Sequence, residues 1–291
     1  MNGVLAVDKP ADWTSHDVVA KLRGVCQEKR IGHSGTLDPM ATGVLVVFLG
    51  RATRAVELCE ADEKEYVAAL RLGLVTNTQD ITGTVLETHS VLVEENRLRA
   101  VLRQFEGAQS QIPPMYSAVK IGGKKLYELA RKGQEVERKP RNITVHALEL
   151  LSFDGTEAQI RIRCSRGTYV RTLCHDIGAA LGCGGCMSAL RRTRSGRFSL
   201  EDCVTLEQVQ EARAAGTLAT LLRPVDSLFA AYPALTLSER WTIRCKNGGE
   251  IPRPGQQDGF YRVYDPDGAF LMLGQARKGV LRTVKSFFEV K

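Results

Sequence analysis

Two side chains capable of chemistry sit five positions apart in IGHSGTLDPMATG, residues 31–43: the imidazole of His33 and the carboxylate of Asp38. Glycine and proline account for a turn there, and Thr36 and Thr42 can satisfy its backbone. An aspartate between Leu37 and Pro39, with an apolar run starting at Val44, is more than a turn requires. Gly35 and Gly43 would let a ligand approach the backbone closely, and Arg51 and Arg54 follow the apolar run. A carboxylate held where a loop meets a strand can act as a nucleophile or as a base. A local reading competes, in which Asp38 only caps neighbouring amides. Residue types alone leave all three open.

Several elements must hold that segment in place. Ser15–Arg30 opens with Ser15 as the expected helix cap, and Val18, Val19, Leu22, Val25 and Cys26 recur at helical spacing. Val44–Leu49 reads as a buried strand, and Glu65–Leu72 alternates with Tyr66, Ala68, Leu70 and Leu72 on one face. The pattern predicts helices over Asn96–Glu106 and Thr168–Leu181, strands over Ile143–Leu148 and Gln159–Cys164, and an extended run over Met187–Arg192. Without a βαβ repeat, the expected class is α+β around a mixed sheet. Thr205–Ala214 carries a Thr205/Gln208 capping box, and Pro224–Tyr232 reads as a connector. A second, β-rich unit is expected beyond it, with a short helix over Ser238–Asn247 and two strands around the Asp-Pro-Asp-Gly turn at 265–268. The domain division is therefore 1–230 and 233–291.

The 291 residues carry a net charge of +7, which suggests a polyanionic partner. That charge is concentrated: Lys120, Lys124, Lys125, Arg131, Lys132, Arg138, Lys139 and Arg141 outnumber Glu128, Glu135 and Glu137, giving +5 between residues 120 and 141. Gly122 and Gly123 suggest a flexible entry to this segment, and Met115 and Tyr116 precede it, which favours an RNA-clasping insertion over a merely solvated loop. Arg191, Arg192, Arg194 and Arg197 form a second basic cluster, read as phosphate contacts. No apolar run reaches bilayer length, so no membrane association is expected. The N-terminal stretch lacks the features of an export signal, so the chain is expected to be cytoplasmic, with its eight cysteines as thiols. Cys183-Gly-Gly-Cys186 has the spacing of half a zinc site, but no second pair accompanies it; neither metal nor cofactor is expected.

GHSGTLDPMATGVL resembles the catalytic segment of the bacterial tRNA pseudouridine synthases that modify uridine 55 in the T-loop. The resemblance extends through DKPADWTSHDVV, EYVAALRLG, TNTQDITG, QIPPMYSAVKIGGKKLYELARKG, SRGTYVRTLCHDIG and LGCGGCMSALRRTRSGRF, in order, over most of residues 1–200. It implies the pseudouridine synthase fold with a small PUA-like C-terminal domain. It further implies that Asp38 is the nucleophile that detaches uracil, Tyr66 stacks on the base, Arg171 pairs with Asp38 and Asp80 holds Arg171. Tyr169 would line the base pocket, and His33 would fill the gap left by the flipped uridine. The segment from 120 to 141 would close over the T-arm of tRNA, and the protein would act as a monomer. Arg54 stands where lysine is common, Asn77 where aspartate is common and Cys186 where histidine is common. Two other readings remain: a related synthase working within a guide-RNA particle, and a non-catalytic tRNA-binding or tRNA-folding protein.

Overall fold

The computed structural model describes residues 1–59 and 63–289. Strand β1 (Gly3–Lys9) leads to helix α1 (Ser15–Cys26), then to β2 (Ile31–Ser34) and β3 (Thr42–Leu49). The cap of α1 is Thr14 rather than Ser15: Thr14 accepts from the Asp17 amide, and the Asp17 carboxylate accepts from the Thr14 amide at 2.8 Å. Ser15 instead points inward, where its hydroxyl accepts from the Leu37 amide at 2.9 Å and donates to the Leu37 carbonyl at 3.1 Å. The helix ends at Cys26, not Arg30, because Gln27 adopts the left-handed conformation.

A 3-10 turn (Gly50–Ala55) and the short helix α2 (Val56–Cys59) precede β4 (Lys64–Leu72). A small hairpin, β5 (Leu74–Thr76) and β6 (Val85–Thr88), precedes α3 (Glu95–Gln104) and β7 (Gly107–Gln111). In the basic segment, β8 (Lys120–Ile121) and β9 (Lys124–Lys125) form a hairpin followed by α4 (Leu126–Ala130). Gly122 and Gly123 are its two turn residues, both at positive φ, a conformation glycine adopts without steric cost. Then come β10 (Arg141–Phe153), β11 (Glu157–Cys164), α5 (Val170–Leu181), β12 (Gly185–Ser195), β13 (Phe198–Ser199) and α6 (Leu206–Ala214). The capping box expected at Thr205 and Gln208 is present.

The strands of this half make one sheet in the order β1-β3-β12-β4-β11-β10-β7, with β2 beside β3 and β13 beside β12. Only the β3–β12 contact is parallel among these neighbours, so the sheet is mixed, as expected. β1 and β3 are apolar along nearly their whole length because both faces are covered. One face packs Leu5, Val7, Leu45 and Val47 on α1 and α6. The other packs Val4, Val46 and Phe48 against Phe229, Phe270 and Phe287. A further cluster joins β4, β10 and β11 to α3 and α5.

The C-terminal unit adds β14 (Ala234–Thr236), α7 (Glu239–Lys246), β15 (Ile251–Pro252), β16 (Gly259–Tyr264), β17 (Phe270–Arg277) and β18 (Val280–Ser286), its strands in a separate sheet ordered β14-β16-β17-β18-β15. Asp265 closes the expected turn by accepting from the amides of Asp267 and Ala269 at 3.1 and 2.8 Å. The last two residues of the 233–291 unit lie outside the described residues.

Candidate active site

Asp38 sits on the loop between β2 and β3, in a cavity of about 600 Å³ also lined by His33, Lys64, Tyr66, Tyr169, Arg171 and Arg192. Two side chains anchor this loop. Ser15 holds Leu37 at both backbone groups. The ammonium of Lys9, fully buried, donates to the carbonyls of Pro10, Trp13 and Pro39 at 2.8, 2.5 and 3.1 Å. Burial of the Lys9 ammonium lowers its pKa to about 8.

Arg171, in the first turn of α5, organises the floor. Its Nε lies 3.0 Å from Asp38 Oδ2, and its Nη1 lies 3.4 Å from Asp80 Oδ2. The remaining donors reach the carbonyls of Thr78 at 3.1 Å and Tyr116 at 2.7 Å. The guanidinium (6% exposed) and Asp80 (7%) are buried, whereas the Asp38 carboxylate is 37% open to the cavity. Asp80 is satisfied independently: its Oδ1 accepts from the Thr78 hydroxyl, the Thr82 amide and the Thr82 hydroxyl at 2.8, 3.0 and 2.6 Å. Burial raises the Asp38 pKa, Arg171 counteracts that, and Asp80 adds to the rise. An ion-paired carboxylate with one face open to a cavity can attack an electrophilic carbon or take a proton.

The walls are aromatic and polar. Tyr66 projects from β4, and burial raises its phenol pKa. Tyr169 caps α5, and its backbone is clamped by the Gln111 amide, which accepts from the Tyr169 N–H at 2.8 Å and donates to its carbonyl at 3.0 Å. His33, on β2, is held neutral with a pKa of about 4, chiefly by burial and then by Arg192.

The structure therefore brings together Asp38, Tyr66, Asp80, Tyr169, Arg171 and His33. It separates others. Arg54 is exposed on the 3-10 turn and does not line the cavity. Lys120, Lys124, Arg131 and Lys132 are exposed, while Lys125 is half-buried with its ammonium donating to the Tyr127 hydroxyl at 3.2 Å. Arg191 pairs with Asp8 at 2.8 Å. Arg192 is 1% exposed, so it cannot be the surface phosphate contact expected of it; β12 turns it into the cavity wall. Gly43 is also reassigned. A Cβ there would lie 2.2 Å from the Arg192 carbonyl, so this glycine serves strand packing and not ligand approach. Sequence reasoning missed Lys9, Lys64, Gln111 and Ser117, and no local spacing marks them. Among the described residues no cluster of metal-ligating side chains is found, and no helix is long and apolar enough to cross a membrane.

The model for the N-terminal domain of TruB family pseudouridylate synthases matches residues 23–170, and that for the tRNA pseudouridylate synthase B C-terminal domain matches residues 171–230. This chain belongs to the TruB family of pseudouridylate synthases. TruB-family relatives named tRNA pseudouridine synthase B include one from Azoarcus, 43% identical over 97% of this chain and 93% of its own. Another, from Bacillus licheniformis, is 46% identical over 87% of this chain and 84% of its own. Among solved structures, the chain resembles one in an H/ACA ribonucleoprotein bound to a substrate RNA containing 2′-deoxyuridine. That likeness has a TM-score of 0.74 at 26% identity, over 99% of this chain and 85% of the other. An archaeal box H/ACA Nop10–Cbf5 complex gives 0.72 at 27% identity, over 98% and 86%. The TruB chain thus has the pseudouridine synthase fold with a β-rich C-terminal domain, and it is an isomerase.

Proposed function

We propose that this enzyme converts uridine 55 in the T-loop of tRNA to pseudouridine, with Asp38 as its nucleophile. The observation that carries the reading is the Arg171 guanidinium bridging Asp38 and Asp80 beneath a cavity with room for a flipped nucleotide. A glycosidic bond is unreachable while its base is stacked, so the uridine must flip into that cavity. Tyr66 and Tyr169 supply apolar faces for the base, and Arg171 keeps Asp38 ionised and aimed at the ribose. The C1′–N1 bond breaks as Asp38 attacks the ribose, its electron pair leaving with the uracil; the freed uracil turns, C5 bonds to C1′ as Asp38 is released, the C5 proton leaves and N1 takes up a proton. Product and substrate have the same atoms, which is consistent with a site that needs no cofactor. The neutral His33 ring fills the space the base vacates in the T-loop.

The exposed cations of the 120–141 segment grip T-arm phosphates, and the C-terminal sheet of residues 233–291 acts as a PUA-like contact to the tRNA further from the chemistry. The enzyme works in the cytoplasm as a monomer without guide RNA. The test is the purified protein alone with T-arm RNA. Pseudouridine at the target uridine is expected; no product, or product only when a guide RNA is added, refutes the reading.

A further inference from the structure

One cation in the cavity wall has no role in the chemistry above. Arg192 lies on β12 directly opposite Tyr66 of β4 and, on its other side, opposite Gly43 of β3. Its Nε donates to the Val44 carbonyl at 2.7 Å and its Nη2 to the Gly35 carbonyl at 2.8 Å. Gly35 is at φ +68°, and a Cβ there would come within 3.2 Å of Nη1, so the catalytic loop rests directly on this guanidinium. Among the described residues no carboxylate lies within ion-pairing distance of it, although it is 1% exposed. A buried charge with no carboxylate beside it among the described residues is costly and rarely kept without a use. It is also the foremost influence that opposes the burial-driven rise in the Tyr66 phenol pKa.

We propose that Arg192 assists cleavage of the glycosidic bond: it holds the Gly35 loop beside Tyr66, and its positive charge stabilises the uracil anion as it departs. The inference rests on the pseudouridine synthase reading of the site. When C1′–N1 breaks, the bond's electron pair leaves with the base, whether Asp38 adds to C1′ or removes a ribose proton. Negative charge then spreads over N1 and the carbonyl oxygens. Fixed positive charge in a water-poor cavity stabilises such a species without reorganising when it forms. A guanidinium tied up by a carboxylate would be far less useful there.

Two variants separate charge from scaffold. Arg192→Lys keeps the charge and loses the fork, while Arg192→Gln keeps neutral donors and loses the charge. Each is assayed in single turnover on T-arm RNA bearing uridine or 5-fluorouridine at the target, following consumption of the N-linked nucleoside because 5-fluorouracil has no C5 proton to release, with affinity measured separately. Arg192→Gln is expected to slow the uridine reaction more than tenfold with affinity within twofold of wild type, and Arg192→Lys to recover part of the loss. The Gln defect should shrink several-fold on 5-fluorouridine, because fluorine itself stabilises the uracil anion. Equal defects on both substrates, or a loss of affinity in both variants, would make Arg192 a scaffold residue and overturn the proposal. If the wild type makes no pseudouridine, it is the functional reading that fails instead.

Discussion

Replacing Arg171 by lysine keeps the positive charge and removes the geometry, so it isolates what the fork contributes. Arg171 makes two contacts to Asp38, through Nε at 3.0 Å and Nη2 at 3.4 Å, while Nη1 serves Asp80 and Thr78 and Nη2 also serves Tyr116. A single ammonium cannot reach Asp38, Asp80 and the Tyr116 carbonyl together. The Asp38 contacts are the ones lost if lysine settles on the more buried Asp80. A hydrogen bond to a charged group is worth about 1.5–3 kcal/mol, so two amount to about 3–6 kcal/mol. At about 1.4 kcal/mol per decade, the single-turnover rate should fall about 10²- to 10⁴-fold. Affinity for tRNA should stay near wild type, because the exposed cations lie elsewhere. The assay is pseudouridine formation under excess enzyme, with binding measured by filter retention. A loss below tenfold, or a comparable loss of affinity, would refute the view that Arg171 orients Asp38.

The same site predicts a pH dependence. Burial raises the Asp38 pKa above the ordinary 3.8, so the acid limb of the single-turnover rate should have its midpoint above 3.8, with activity lost as pH falls through it; a midpoint at or below that value contradicts the burial argument. Exchanging Lys120, Lys124, Arg131 and Lys132 for glutamine should reduce the slope of log affinity against log salt by about 3, since each phosphate contact contributes about 0.7–0.9. An unchanged slope would remove these residues from the RNA interface. Gly43→Ala would place a Cβ 2.2 Å from the Arg192 carbonyl at φ +100°, forcing β3 and β12 apart. Its melting temperature should fall by several degrees, the equivalent of about 1–3 kcal/mol or more; a wild-type melting temperature would show that the strands separate at little cost.

Periodicity placed β3, β4, β10, β11 and β12 and the helices α1, α3 and α5, because each shows an apolar run, an alternation or a helical repeat long enough to read. It was weaker where burial is two-sided or where the chain is glycine-rich. β1 is buried on both faces and carries no alternation, and β2 sits in a stretch that reads as a turn until its pairing with β3 is known. The site was legible through the family resemblance at Asp38, Tyr66, Asp80, Tyr169 and Arg171, residues that are ordinary one by one. Lys9 and Arg192 were not legible, because a cation's burial depends on strand register and on carbonyls distant in sequence. Arg191 and Arg192 are adjacent and chemically alike, yet one pairs with Asp8 while the other is sealed beneath the catalytic loop.

The most direct test of the account is Asp38→Asn, with isomerisation and tRNA affinity measured on the same preparation. Asparagine is nearly isosteric and can still accept from Arg171, but it cannot act as a carboxylate nucleophile or base. The account predicts T-arm binding within a few-fold of wild type and no detectable pseudouridine. Product formed at near the wild-type rate would contradict the role given to Asp38, and a collapse of binding without loss of fold would show that the carboxylate holds RNA rather than performing chemistry on it.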